Sequence, residues 1–201
     1  LIEECRRMGL IVRPPDVNAS SFKFSVKAGE VIYGLGAIKG LGEGPITQLV
    51  DARDQDGPFT DLFDFCRRVG PGKVNRRALE ALIRAGAFDS LNESRWVVMS
   101  SLGDAIGQAD QEARNEAVGM DDMFGLAGGS ESRSAYDVYR SHRNGARWSE
   151  HDLLRGEKET LGLYLTGHPI DWYTNLKQLA NQNLSVFGKS QNRFNTYKDF
   201  I

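Results

Sequence analysis

The stretch at residues 33–53, YGLGAIKGLGEGPITQLVDAR, constrains this chain more than any other. Its centre, Gly40-Leu41-Gly42, is a glycine–apolar–glycine turn between an apolar approach (Leu35, Ala37, Ile38) and a helical run (Ile46, Leu49, Val50). Glycine admits positive φ and leaves no side chain between the backbone and a ligand. Pro45 suits the first turn of a helix, where a missing N–H is no loss. The start of that helix offers unbonded N–H groups and a positive dipole end, with Gly44 inside it and Lys39 adding a charge nearby. The turn therefore predicts a seat for an anionic oxygen. Glu43 is a competing carboxylate at the same place. A Gly-x-Gly ahead of a helix is also an ordinary tight turn, so the surroundings decide.

The surroundings repeat the pattern. Thr60-Asp61-Leu62-Phe63-Asp64-Phe65-Cys66-Arg67-Arg68-Val69 reads as a capped helix with an apolar stripe, and Gly70-Pro71-Gly72-Lys73 is a second glycine turn. Asn75 then caps a helix from Arg76 to Ala85, with Leu79, Leu82 and Ile83 on one face and Gly86 closing it. Helix, glycine turn, helix has now occurred twice, and the arrangement looks like a tandem helix-hairpin-helix domain. Two such units bury each other's apolar faces and offer their hairpins to the two strands of a duplex. Arg67, Arg68, Lys73, Arg76, Arg77 and Arg84 face only Glu80 in the second window. A basic helix face is often merely solvated, but beside two glycine hairpins it points to phosphate. Without interleaved aromatic residues, duplex backbone is the expected ligand rather than stacked single-stranded bases.

Upstream, the first residues read as the last turns of a helix stopped by Gly9, followed by a short buried strand, Leu10-Ile11-Val12. Phe22, Phe24 and Val26 alternate with Lys23, Ser25 and Lys27, predicting a strand with one buried face. Lys27-Ala28-Gly29-Glu30 turns it back into Val31-Ile32-Tyr33 as a small β-hairpin. Downstream, a long helix is expected over residues 93–118, with Trp96, Val97, Met99, Leu102, Ile106 and Ala109 in the core. Residues 125–147 are rich in Gly, Ser and Arg without sustained period and read as a flexible linker. Met123 and Phe124, exposed beside that linker, have the character of a docking peptide. Ser149-Glu150-His151-Asp152 is a capping box opening a helix expected to run toward Leu163 and Leu165 and to break at His168-Pro169. Asp171 begins another helix, and beyond Asn181 short strands and turns begin a further domain. The divisions are residues 1–32, 33–118, 119–147 and 148–201. The chain opens inside a helix and closes without a terminating signal, so it reads as a piece of something longer.

Composition narrows the function classes. Of 201 residues 26% are charged with a net charge of −2, so nucleic-acid contact must come from a local patch and not from bulk attraction. Cys5 and Cys66 lack metal-ligand spacing and fit a reducing compartment. No apolar run approaches membrane-spanning length, and the chain is expected to be cytoplasmic with no membrane partner. Asp51, Asp54 and Asp56 cluster at a helix end, where solvation is the simpler role. His142, His151 and His168 form no triad or metal set, and no Walker motif follows the glycines. No catalytic residue and no metal site are expected within these residues.

Several runs in this order carry a resemblance: Pro14-Pro15-Asp16-Val17-Asn18; Tyr33-Gly34-Leu35-Gly36-Ala37-Ile38-Lys39-Gly40; Asn75-Arg76-Arg77-Ala78-Leu79-Glu80-Ala81-Leu82-Ile83; Gly86-Ala87-Phe88-Asp89; and Leu161-Gly162-Leu163-Tyr164-Leu165-Thr166-Gly167-His168-Pro169. Together they closely resemble the C-family of bacterial replicative polymerases, the DNA polymerase III α-subunit family. The resemblance implies a mainly α fold: the end of the fingers with its small β-hairpin, the tandem helix-hairpin-helix domain, a clamp-binding segment, and helices leading to a truncated OB-fold. It implies a DNA-directed DNA polymerase as the full-length protein, with magnesium held by palm aspartates outside these residues. Its partners would be duplex DNA, the sliding clamp (β subunit) and other replicase subunits.

Met120, Asp121, Asp122, Met123 and Phe124 fall where the family carries its clamp motif, with Met120 in place of the usual Gln. Duplex contacts would be made by Lys39, Gly40, Gly42 and Gly44 on one strand and by Gly72, Lys73, Arg76 and Arg77 on the other. Base-specific readout is not expected from such contacts. The competing readings are a stand-alone helix-hairpin-helix module of a repair factor, and a protein-binding scaffold with degenerate hairpins.

Overall fold

The computed structural model describes residues 2–117, 134–145 and 147–169. The chain divides into a compact unit, Leu1–Thr166, and a second one, Gly167–Ile201. Only residues 167–169 of the second are described, so the expected OB-fold approach and the helix at Asp171 lie outside the described residues.

Helix α1 (Ile2–Arg7) leads to strand β1 (Val12–Arg13), which pairs in parallel with β3 (Glu30–Ile32). Strand β2 (Ser25–Lys27) pairs antiparallel with β3 in the register Val26↔Val31. The sheet order is β1-β3-β2. Ala28 (φ 53°) and Gly29 (φ 82°) form the turn; two successive positive φ angles match the twist of a tight hairpin. The β-hairpin is as expected and β1 overlaps the expected strand at Val12; its parallel pairing with β3 is additional. Two burial expectations fail. Ile11 is 55% exposed, and Phe24 and Val26 are 47% and 73% exposed; Val26 lies on β2, an edge strand of the sheet. Phe22 packs on the core, and the exposed Phe24 ring still lies 4.6 Å from that of buried Tyr33.

The fold is otherwise helical. A 3-10 turn (Leu35–Ala37) precedes α2 (Glu43–Asp56); α3 (Leu62–Val69) and α4 (Arg76–Arg84) follow, then α5 (Arg95–Ala117), α6 (Ala135–Arg143) and α7 (Glu150–Leu161). Helix α3 starts at Asp61, whose carboxylate accepts the Asp64 N–H at 2.8 Å, and α4 starts at Asn75, which accepts the Ala78 N–H at 2.8 Å. Both caps satisfy donors that a helix start leaves open. Helix α5 buries Val98, Leu102, Ala105 and Ala109, one stripe at helical spacing, against α3 and α4. Phe65 sits at the centre, 4.8 Å from the ring of Phe59 and 5.1 Å from that of Phe88.

Two expectations about the later chain are corrected. Of the flexible linker read at residues 125–147, residues 125–133 and 146 lie outside the described residues, but Ala135–Arg143 is a helix. Ser134 caps it by accepting the Asp137 N–H, and Tyr139 and Val138 are buried. The Tyr139 hydroxyl accepts the Leu62 N–H at 3.0 Å, so α6 closes the start of α3. Helix α7 has the expected capping box between Ser149 and Asp152, but it ends at Leu161 on left-handed Gly162. That glycine stops the helix seven residues before His168, and Leu163 and Leu165 pack from the following loop.

Candidate nucleic-acid interface

The first hairpin is built almost entirely from backbone. Leu35 and Ile38 bury the 3-10 turn, Gly40 turns the chain at φ 86°, and Leu41 drops back into the core at 9% exposure. Gly42 then starts α2 without a side-chain cap. Gly40, Gly42 and Gly44 are exposed. A β-carbon placed on Gly40 or Gly44 would meet nothing within 4 Å, and one on Gly42 would meet only Pro45 Cδ, at 3.9 Å. Gly40 needs its glycine for its conformation, but Gly42 (φ −87°) and helical Gly44 do not. Packing asks for no glycine at these two either. The N–H groups of Gly40, Gly42, Glu43 and Gly44 find no acceptor among the described residues. Open donors, a helix dipole and an unobstructed approach together make an anion seat. Glu43 stands exposed in the first turn, the competing carboxylate expected there. Lys39 is exposed, its N–H donates to the Thr160 carbonyl at 2.9 Å, and its Nζ lies 3.8 Å from where a β-carbon on Gly162 would stand.

The second hairpin is framed by two full helices. Gly70 (φ 90°) ends α3 with its N–H on the Cys66 carbonyl, Gly72 (φ 74°) turns the chain, and Val74 is buried just before the Asn75 cap. Beneath it lies a cavity of about 330 Å³ lined by Cys66, Val69, Val74, Leu79 and Ile106. Burial, then the charges of Asp61 and Asp110, push the Cys66 thiol pKa up to about 12.

The basic cluster proves divided. Arg68 is turned inward, donating to the Ala52 and Gly57 carbonyls at 2.7 Å and to Asp64 at 3.0 Å, with its guanidinium 4.6 Å from the Phe59 ring centroid. Arg67 pairs with Asp64 at 2.7 Å, Arg76 with Glu80 at 3.0 Å, and Arg84 with Glu159 at 3.9 Å. Lys73 and Arg77 are exposed and have no carboxylate partner among the described residues. The expectation that Glu80 alone opposes these charges is therefore corrected: Asp64 stands one turn earlier on α3, and Glu159 comes from α7. Burial would raise the Asp64 pKa, but the Thr60 N–H, Arg67 and Arg68 together hold it below the ordinary carboxylate range.

The other expected residues fall as follows. Met120, Asp121, Asp122, Met123 and Phe124 lie outside the described residues. On α2, Asp54 pairs with Arg53 at 3.0 Å and Asp56 approaches Arg68 at 3.8 Å. Among the described residues no three His, Cys, Asp or Glu side chains converge as metal ligands. No described helix is long and apolar enough to cross a membrane.

Sequence reasoning missed one buried polar cluster. Glu157, fully buried, accepts from Arg95 at 3.2 Å, from the Leu165 and Thr166 N–H groups at 2.8 and 3.0 Å, and from the Thr166 hydroxyl at 2.7 Å. Arg95 also binds Asp89 through two nitrogens and the Arg84 carbonyl at 3.1 Å. Burial would lower the Arg95 pKa, but the hydrogen bond and charge of Asp89, with Glu157, raise it. The available signal was Glu157 itself, a carboxylate on the apolar Leu154–Leu161 face of a helix.

Comparison with known proteins accords with this geometry. Residues 9–98 match the helix-hairpin-helix motif family, covering both hairpins. The chain is 50% identical over 182 residues to the DNA polymerase III subunit alpha of Pasteurella multocida, covering 90% of this chain and 15% of that protein. It is 49% identical to the Escherichia coli subunit over 86% of the chain, and 45% identical to that of Pseudomonas aeruginosa over 92%. The chain thus spans about 15% of the length of the relatives it matches. With two glycine hairpins in place and about half of the residues identical across nine-tenths of its length, this chain belongs to the DNA polymerase III α-subunit family.

Proposed function

We propose that this chain is the duplex-gripping part of a replicative DNA-directed DNA polymerase. One observation carries the reading: Gly42 and Gly44 present open N–H groups at a helix start where neither conformation nor packing requires glycine. A phosphate oxygen is the ligand that such a place accommodates. Gly40, Gly42 and Gly44 take one strand with Lys39 beside them; Gly72, Lys73 and Arg77 take the other, with Arg76 contributing only by leaving Glu80. These contacts read backbone and not sequence. Nucleotidyl transfer, with its magnesium, belongs to carboxylates elsewhere in the longer polymerase, acting in the bacterial cytoplasm with the other replicase subunits. Met120, Asp121, Asp122, Met123 and Phe124 form the tether to the sliding clamp, Met123 and Phe124 as apolar anchors and Met120 as a weaker substitute for the usual Gln.

The test is duplex binding by fluorescence anisotropy across a salt series. Replacing Lys39, Lys73 and Arg77 by alanine together should weaken binding and flatten the logarithmic salt slope by about 3, near one for each phosphate no longer neutralised. Unchanged slope and affinity would sink the reading and favour a protein-binding scaffold. The tether is tested separately, with Met123→Ala/Phe124→Ala expected to abolish clamp binding and leave duplex binding intact.

A further inference from the structure

The carboxylate of Glu157 is fully buried, and its partners connect both hairpins. It belongs to α7, whose last turn ends beside the first hairpin: the Thr160 carbonyl, three residues on, accepts the Lys39 N–H at 2.9 Å. Gly162 stands against the Lys39 side chain. On its other side Glu157 holds Arg95, which binds the carbonyl of Arg84 at the end of α4, the helix that begins with Asn75, Arg76 and Arg77. At that crossing α7 lies so close that a β-carbon on Gly156 would stand 3.2 Å from the Arg84 carbonyl oxygen. The Leu165 and Thr166 N–H groups and the Thr166 hydroxyl also donate to the carboxylate.

We infer that Glu157, through Arg95 and Thr160, is a positioning residue for the first phosphate-binding hairpin, fixing the Lys39–Gly44 turn at a set distance from the second. This rests on the reading of the hairpins as duplex contacts. Hydrophobic packing alone would hold α7 with fewer constraints; a charged pair satisfied on every side accepts one geometry and penalises others. The first hairpin needs such a brace more than the second. Only a 3-10 turn precedes it, whereas α3 and α4 flank Gly72. A turn whose ligands are backbone N–H groups works only when those groups converge to within a fraction of an ångström.

The experiment uses Glu157→Gln in the 201-residue chain. Glutamine keeps the volume and a carbonyl acceptor but removes the charge facing Arg95. Duplex affinity should fall about fivefold, and amide-exchange protection of Lys39 should drop while that of Ala85 is kept. The affinity loss should nearly vanish in a Gly44→Ala background, where the N–H seat of the first hairpin is already obstructed, and persist in an Arg77→Ala background, a pattern that general destabilisation does not give. Loss of stability with Lys39 protection and duplex affinity unchanged would overturn the inference, as would equal losses in both backgrounds. Should Glu157→Gln prevent folding, Thr166→Val, which removes only one hydroxyl donor to Glu157, gives a smaller version of the same pattern. Failure of the wild-type chain to bind duplex with a salt slope would instead overturn the hairpin reading itself.

Discussion

The two hairpins hold out different things to a ligand. The first offers a row of backbone N–H groups on three exposed glycines, with Lys39 as its cation among the described residues. The second has a side-chain cap at Asn75 and a surround of arginines, most of which are turned to internal partners. Counting charges along the chain makes the second hairpin look the stronger. Counting open donors makes it the first. The difference teaches that an arginine's contribution to phosphate binding depends on what else it already holds. Arg68 binds three backbone carbonyls and Asp64 and belongs to the fold, while Arg77, nine residues on, belongs to the surface.

The largest expected effect tests that division. Arg68→Ala should lower stability by about 3 kcal/mol, since it strips a guanidinium from buried carbonyls and leaves Asp64 partly unpaired. Arg77→Ala should change stability by less than about 0.5 kcal/mol yet weaken duplex binding. Urea unfolding beside anisotropy separates the two; similar stability losses would mean that the arginines are not divided in this way.

Acid provides the next effect. Asp64 has a folded pKa below its unfolded value, so the stability it contributes is complete above the unfolded value and is lost as pH falls through the folded one. The melting temperature should therefore fall as pH drops below about 4, and it should fall less steeply in Asp64→Asn, which has no charge there to lose. Parallel acid slopes for both proteins would show that Arg67 and Arg68 do not depend on this carboxylate.

The smallest effect is the sharpest between the hairpins. Gly44→Ala should raise stability by up to about 1 kcal/mol, as alanine suits a helix better and meets nothing, while lowering duplex affinity. Gly72→Ala should lower stability by about 1 kcal/mol because φ there is positive. Thermal melts and anisotropy on the pair would show it, and a Gly44→Ala variant binding duplex normally would remove the first hairpin from the interface.

Local signals in the sequence were reliable wherever chemistry is local. The Asn75 cap, the Ser149–Asp152 box and the Ala28-Gly29 turn each follow from a side chain or a dihedral within four residues. What was illegible depends on distant partners. Helix α6 was hidden because Gly, Ser and Arg dominate the residues around it, although Ser134 and Asp137 spell a cap. Its stability comes from Tyr139 against Phe63 and the start of α3, 76 residues earlier in the case of Phe63. The parallel β1–β3 pairing and the Lys39–Thr160 bond are likewise long-range. In the candidate site, the glycines were legible and the availability of the arginines was not. Spacing shows which residues share a helix face, and only tertiary contacts show which of them are already occupied.

The thiol beneath the second hairpin turns that region into a clock. Alkylating reagents attack thiolate, and a thiol pushed up to about 12 forms almost none at neutral pH while α3 stays packed on α5. With Cys5, half-buried at the other end, replaced by serine, the labelling rate of Cys66 counts how often α3 parts from α5 rather than how reactive the sulfur is. The pace of hairpin opening, with and without duplex, can thus be read from an atom the chain already carries.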